Sequence, residues 1–394
     1  MPRAIPIRIA WLLLAASACS TGTSADAPRS DTTRIGDTLV VTTRGKDVRD
    51  RIDRVDVLWQ STELENPRAL LALSDRLIVA DPTRIHILSA SGELIRTVGR
   101  EGAGPGEFRS IAMLGRAGRD TIAVHDVANQ RIALLTLDGE LLREARTAPR
   151  VPFVNPVEGT SLLVRGASAI SFWEENVGAD VPTRTALLWR DLDVDTIAVL
   201  EVWDGPTWIR LGDLVVTVPL FGPQALVALA HDGTIAAGNG VDHCITIHAP
   251  GVGGIRKVCR DRAAIPVGAA IRDPDLSRVD SDSRRQALMA VMREQPIAEH
   301  LPSFDRVLFD ERGRLWVRTL ARELADVHPY LRRYYPEREP THRAWDVFDE
   351  SGRLVRTVEL PSTFTPQAIT ANEILGFTEL ETGEIAIGRA EISF

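Results

Sequence analysis

The stretch Leu77-Ile78-Val79-Ala80-Asp81, Arg84-Ile85-His86-Ile87-Leu88, Ser91-Gly92-Glu93-Leu94-Ile95-Arg96 returns almost in step further on. The second copy reads Ile122-Ala123-Val124-His125-Asp126, Gln130-Arg131-Ile132-Ala133-Leu134-Leu135, Asp138-Gly139-Glu140-Leu141-Leu142-Arg143, with Gly92 and Gly139 standing 47 residues apart. A third copy runs through Leu315-Trp316-Val317, Trp345-Asp346-Val347-Phe348 and Ser351-Gly352-Arg353-Leu354-Val355-Arg356. A weaker one is Leu226-Val227-Ala228-Leu229 followed by His231-Asp232-Gly233-Thr234-Ile235. Each copy is a set of short strands divided by Ser-Gly or Asp-Gly turns, a strong local hairpin signal. No strand alternates with a strong helix pattern, which argues against a parallel α/β sheet. A repeat of roughly 40 to 50 residues built from about four strands is the blade of a β-propeller.

Between the first two copies lies Gly102-Ala103-Gly104-Pro105-Gly106-Glu107-Phe108, and the second carries Asp126, Asn129, Arg131 and Ile132. The glycine-rich segment resembles the linker of NHL-type six-bladed propellers, and the second set resembles that family's D-x-x-N-x-R-I signature. The resemblance covers residues 67–145 clearly and 303–392 less so. Between 150 and 265 only strand pattern supports it, and Asp81-Pro82-Thr83-Arg84-Ile85 keeps only part of the signature. It implies an all-β, six-bladed propeller of four-stranded antiparallel blades, with Arg131 bracing neighbouring strands. Units fall near 67–108, 109–150, 151–204, 205–265, 303–361 and 362–394; five or seven blades remain alternatives. The last unit is short, so a closing strand from the N-terminal side, near Asp53–Gln60, is expected to complete its sheet and remove open edges.

Upstream of the repeats, Arg3 and Arg8 precede an apolar run from Ile9 to Ala16 that ends in Ser17-Ala18-Cys19. A short basic region, an apolar core and small residues before a cleavage point make a signal peptide. The run falls short of the about 20 residues a spanning helix needs. Ala16-Ser17-Ala18-Cys19 resembles the bacterial lipobox, which implies cleavage after residue 18 and a lipid on Cys19, although that motif prefers Leu, Val or Ile where Ala16 stands. Ordinary secretion and an uncleaved anchor are the alternatives. With Ser20 rather than Asp after the cysteine, the sorting rule of such lipoproteins favours an outer membrane. Three regions follow: a leader at 1–18, a polar flexible tether at 19–36, and a propeller at 37–394.

The chain has 394 residues, 44% of them hydrophobic, and a net charge of −8, which becomes −10 once Arg3 and Arg8 leave with the leader. An acidic balance does not suit a nucleic-acid partner, which calls for a basic face. Cys244 and Cys259 flank two β-rich runs around Pro250-Gly251-Val252-Gly253-Gly254. A hairpin turning between Gly251 and Val252 sets the two cysteines opposite each other, about 4.5 to 5.5 Å apart at Cβ, close to disulfide reach. Two free buried thiols are the alternative.

Catalytic patterns are mostly missing from the sequence. There is no G-x-S-x-G elbow, since Gly166-Ala167-Ser168-Ala169-Ile170 lacks the last glycine, and no phosphate loop. Asp191, Asp193 and Asp195 share a strand face but lack the glycine and glutamate of a calcium loop. The eight histidines show no ligand spacing, and no cofactor or metal is implied. Two insertions interrupt the repeat: a helical one near 275–300, with Leu288, Val291 and Met292 at helical spacing and Ser281 or Ser283 as cap, and one at 320–343. Long insertions in repeat proteins gather on one face, often the binding face. The second insertion and its flanks hold Arg318, Arg322, Arg332, Arg333 and Arg343 with Trp316, Tyr334 and Tyr335. Arginine forks recognise carboxylate or phosphate, so Arg318, Arg332, Arg333, Tyr334 and Tyr335 are the candidate site for a small anionic ligand or a partner protein. Pairing with Glu323, Asp326, Glu337 and Glu339 is the plainer explanation of the same arginines. The function expected is a non-enzymatic binding or scaffold module. The alternative is a metal-dependent propeller hydrolase of the lactonase or strictosidine-synthase kind, for which Asp310 and Asn155 are the residue types wanted.

Overall fold

The computed structural model describes residues 28–45, 48–61, 64, 66–146, 164–165, 168–175, 182–191, 197–207, 209–211, 214–217, 220–249 and 255–393. The leader, Cys19, Asn155, Asp193 and Asp195 lie outside them. Four strands come first: β1 (Arg29–Ile35), β2 (Thr38–Arg44), β3 (Arg49–Arg51) and β4 (Asp56–Trp59). Three antiparallel sheets follow in chain order. The first is β5 (Ala69–Ala72), β6 (Arg76–Ala80), β7 (Ile85–Ser89) and β8 (Leu94–Val98). Next come β9 (Ile111–Arg116), β10 (Thr121–Asp126), β11 (Arg131–Thr136) and β12 (Leu141–Arg146), then β13 (Val164–Arg165), β14 (Ser168–Glu175), β15 (Pro182–Asp191) and β16 (Ile197–Thr207).

A two-stranded sheet, β17 (Ile209–Leu211) and β18 (Leu214–Thr217), precedes three more sets. These are β19 (Leu226–Leu229), β20 (Ile235–Gly238), β21 (Cys244–His248) and β22 (Ile255–Arg260); then β23 (Phe304–Phe309), β24 (Leu315–Thr319), β25 (His342–Phe348) and β26 (Leu354–Pro361); then β27 (Phe364–Ile369), β28 (Glu373–Glu379) and β29 (Ile385–Glu391). Helices α1 (Ala269–Arg272) and α2 (Asp282–Glu294) lie between β22 and β23. Three 3-10 turns, Arg322–Asp326, Pro329–Tyr334 and Pro336–Arg338, lie between β24 and β25.

The N-terminal strands join the far edges of the last three sets. β2 pairs in parallel with β22, β3 in parallel with β26, and β4 antiparallel with β29. The expected closing strand near Asp53–Gln60 is therefore β4. The expected tether, 19–36, overlaps β1, which forms a hairpin with β2. Its polar composition fits an outermost strand with mostly exposed side chains, held to β2 by backbone pairing together with Ser30 Oγ to Thr43 Oγ1 at 2.8 Å and Arg44 to Asp31 at 2.7 Å.

Neighbouring sheets share cores, so strands such as β6 and β10 are buried on both faces and read as continuous apolar runs. Ile78, Ile85 and Ile87 pack against Phe108, Ile111, Ile122 and Val124. Leu226 and Ile245 meet Val307 and Val317, and Trp316, Trp345 and Val358 meet Phe364, Ile374 and Ala390. The ring closes where Leu375, Phe377 and Ile387 pack on Leu70, Val79 and Leu88.

The repeating turn glycine explains the spacing of the sheets. Gly92, Gly139 and Gly352 all have φ between +84° and +89°, a region where only glycine is relaxed. A Cβ at each would also strike a strand of the preceding sheet, β4, β8 or β22: Leu58 O at 2.5 Å, Val98 Cγ1 at 2.7 Å and Val258 Cγ2 at 2.9 Å, respectively. Asp126, Asn129 and Arg131 instead fix the glycine-rich linker. Asp126 accepts from the Arg109 and Ser110 N–H groups at 3.1 Å, and Asn129 Nδ2 donates to Gly102 O at 2.8 Å. Arg131 donates to Gly104 O at 3.0 Å and to Glu107 O, and pairs with Glu144 at 2.9 Å. No helix among the described residues is long and apolar enough to cross a membrane.

Candidate functional site

Both insertions leave the sheets at the same end and pack together. The backbone N–H of Gly268 donates to Ala325 O at 2.8 Å, and Leu220 forms a parallel bridge with Ile297, donating to Pro296 O at 2.8 Å and accepting from the Ala298 N–H at 3.0 Å. Val279, Leu276 and Leu288 from the first insertion meet Val327, Leu331 and Tyr335 from the second. Ser281 caps α2 by accepting from the Arg284 N–H, and Met292 is buried. Val291, at the expected helical spacing, is instead exposed.

Beneath this cap lies a cavity of about 440 Å³ whose lining includes Phe221, Leu320, Tyr330, Arg318, Arg332 and Arg343. Arg318 comes from the end of β24 and Arg343 from the start of β25, while Arg332 is carried by the second 3-10 turn between them. Asp305 and Glu339 are the acids that pair with these forks. Arg318 grips Asp305 in bidentate fashion, Nε to Oδ1 at 2.7 Å and Nη2 to Oδ2 at 3.0 Å. Glu339 is shared: Arg332 Nε lies 3.2 Å from one oxygen and Arg343 Nη2 donates to the other at 2.8 Å. Burial lowers the pKa of both Arg332 and Arg343; repulsion from Arg318 adds to it, and Glu339 works against it. Three cations thus meet two anions in a partly desolvated space.

The candidate residues do not all converge. Arg318 and Arg332 line the cavity together with Arg343. Arg333 is exposed, and Tyr334 is partly buried; its hydroxyl accepts from Arg333 Nη2 at 3.0 Å. Tyr335 is buried in the seam between the insertions, where it donates to Asp275 O at 2.9 Å beneath Arg278 and Arg338. Trp316 is a core residue that donates to Asp310 Oδ2 at 3.0 Å. Asp310 spends its other bonds on Arg312 N, Arg314 N and Arg314 Nε in a tight turn. Among the described residues, no group of three or more His, Cys, Asp or Glu could hold a metal ion. Sequence reading missed Asp305, Glu339 as a counter-ion shared by Arg332 and Arg343, and Phe221. Phe221 has φ +63°, a strained value for a bulky residue, and no local residue pattern announces it.

Cys244 and Cys259, directly opposed in the β21–β22 register, are joined in a disulfide.

Successive small antiparallel sheets around shared cores define a β-propeller. A member of the DUF4221 family from Bacteroides vulgatus is similar in structure, with TM-score 0.56 and 8% identity over 86% of this chain and 97% of that one. A Bacteroides fragilis protein described as exported gives TM-score 0.47 at 12% identity, over 90% and 99% of the two chains. Virginiamycin B lyase from Staphylococcus aureus, with quinupristin, gives 0.41 at 11%, over 86% and 99%. At 8% identity, the likeness to the DUF4221 member speaks to fold alone. No protein-family model matches the sequence, and no curated protein does.

Proposed function

We propose that the chain is an exported, envelope-anchored propeller of six blades that binds an anionic ligand in the cavity beneath its insertions, without catalysing a reaction on it. The observation that carries this reading is the charge imbalance at the cavity, where Arg318, Arg332, Arg343 and Asp305 line the space and Glu339 pairs with Arg332 and Arg343. Guanidinium forks at a partly dry site hold carboxylate or phosphate oxygens by charge-assisted hydrogen bonds. The leader, the lipobox-like run and Cys19 support export and lipid anchoring, and a disulfide suits an oxidising compartment. Six of the sheets are read as blades, with the β1–β3 strands as additions at their edges. The metal-dependent hydrolase reading gains no support from Asp310, whose oxygens are committed to its own turn.

Two measurements test the proposal. Anions from a panel of carboxylates and phosphates should raise the melting temperature of the mature protein, as any ligand selective for the native state does. The Arg332→Gln/Arg343→Gln double variant should lose that response while keeping its circular dichroism. Equal responses in both proteins would retire the cavity as the site. Membrane fractionation of Cys19→Ser should move the protein to the soluble fraction; continued membrane association would contradict the lipid anchor.

A further inference from the structure

Resting on the reading of this cavity as the ligand site, we propose that its ligand is a monocarboxylate on an apolar body. The carboxylate would meet Arg332 and Arg343, and the body would lie against Phe221, Leu320 and Tyr330. The charge arithmetic is local. Arg318 and Asp305 neutralise each other through two parallel bonds. Glu339 alone serves both Arg332 and Arg343, so this pair of forks retains one uncompensated positive charge. A ligand carboxylate supplies one negative charge, whereas a phosphate monoester carries about −1.5 to −2 near neutral pH and would leave the partly dry site overcharged. Contacts with Glu339 engage only Nε of Arg332 and Nη2 of Arg343. A guanidinium has five N–H donors, which leaves enough on each fork for a second carboxylate.

The apolar half of the proposal rests on the apolar part of the lining. Phe221 and Leu320 are half-buried and Tyr330 is exposed, and all three line the cavity. Phe221 keeps its place at φ +63° because flanking backbone bonds hold both sides: Leu220 N donates to Pro296 O at 2.8 Å and Gln224 N to Asn239 O at 2.9 Å. Strain of this kind persists only where the surroundings over-determine it. A cavity of about 440 Å³ lies in the range of small-molecule sites, roughly 300 to 1,000 Å³.

Calorimetric titration of the mature protein with four probes decides the matter: 3-phenylpropionate, its neutral amide, acetate and phenyl phosphate. The expected result is that 3-phenylpropionate binds best. Loss of its charge in the amide should weaken binding about tenfold to a hundredfold, the scale of hydrogen bonds to a charged group, and acetate, lacking the body, should also bind more weakly. Arg332→Gln should weaken 3-phenylpropionate binding by a similar factor. If phenyl phosphate binds as tightly or tighter, the carboxylate assignment falls while the cavity stands as an anion site. If acetate equals 3-phenylpropionate, the apolar body is wrong. If the amide matches the acid, if Arg332→Gln has no effect, or if no probe binds, both this inference and the site beneath it are overturned.

Discussion

His328 opens the second 3-10 turn of the insertion, buried, with Nδ1 accepting the Tyr330 N–H at 3.4 Å. An imidazole that accepts at Nδ1 must be neutral there. Burial, and after it the charge of Arg332, pushes its pKa down to about 4. The unfolded value is about 6.5, so protonation is easier in the unfolded chain. The stability tied to neutral His328 is therefore present above about pH 6.5 and is lost as pH falls toward about 4. His125, also held near about 4 by burial, adds a term of the same sign. Urea midpoints of the wild type should fall across that window. His328→Asn keeps an acceptor near Nδ1 without titrating, so its midpoint should fall less steeply over the same pH range. Identical slopes in the two proteins would remove His328 from the account.

At the scale of elements, the β21–β22 hairpin shows what a disulfide does beneath an added edge: β22 carries β2 on its far side. The bond closes a loop of sequence separation 15, and Cys259 is also paired in register with Thr42 of β2. The staple thus holds the strand on which the N-terminal hairpin docks. Replacing both cysteines by alanine should lower unfolding stability by about 3 kcal/mol, the loop-closure value for such a span, read from urea midpoints; an unchanged midpoint would contradict it. This hairpin was legible because opposed register follows from the position of one turn. The Ser-Gly and Asp-Gly turns were legible for a similar reason, since local chemistry demands glycine there. β1 to β3 were not. Gly36 at φ +58° and the β-branched run Thr38–Thr43 were the available signals, but pairing with β22 and β26 joins residues more than 200 apart in sequence, which no local pattern encodes. The arginine site was half legible. Composition marked the insertion, yet whether a side chain faces the cavity, as Arg332 does, or the seam, as Tyr335 does, depends on how two insertions pack. Asp305 lies on β23, outside both insertions, and only the folded chain brings it to Arg318.

Across the whole molecule, residues 29–59 form a belt over three successive sheet edges, and only its last strand closes the ring. β2 and β3 extend the edges of β22 and β26, whereas β4 supplies the fourth strand of the β27–β29 sheet. Leu58 and Trp59 also pack in the core shared with β5–β8, and Gly92 rests on the Leu58 backbone. Losing the belt without β4 uncovers edges of sheets that still have four strands. Losing β4 leaves a three-stranded sheet with an open edge at β29 and a wounded core, the arrangement that invites edge-to-edge aggregation. Two truncations separate these roles. A chain starting at Asp53 should fold with a single thermal transition at a lower melting temperature than a chain starting at Cys19. A chain starting at Ser61 should lose cooperative unfolding and elute from size exclusion as aggregates. If the Ser61 chain is monomeric with the same transition as the Asp53 chain, β4 is an accessory strand and the ring is closed by the apolar contacts of Leu375 and Phe377 with Leu70 and Val79 instead.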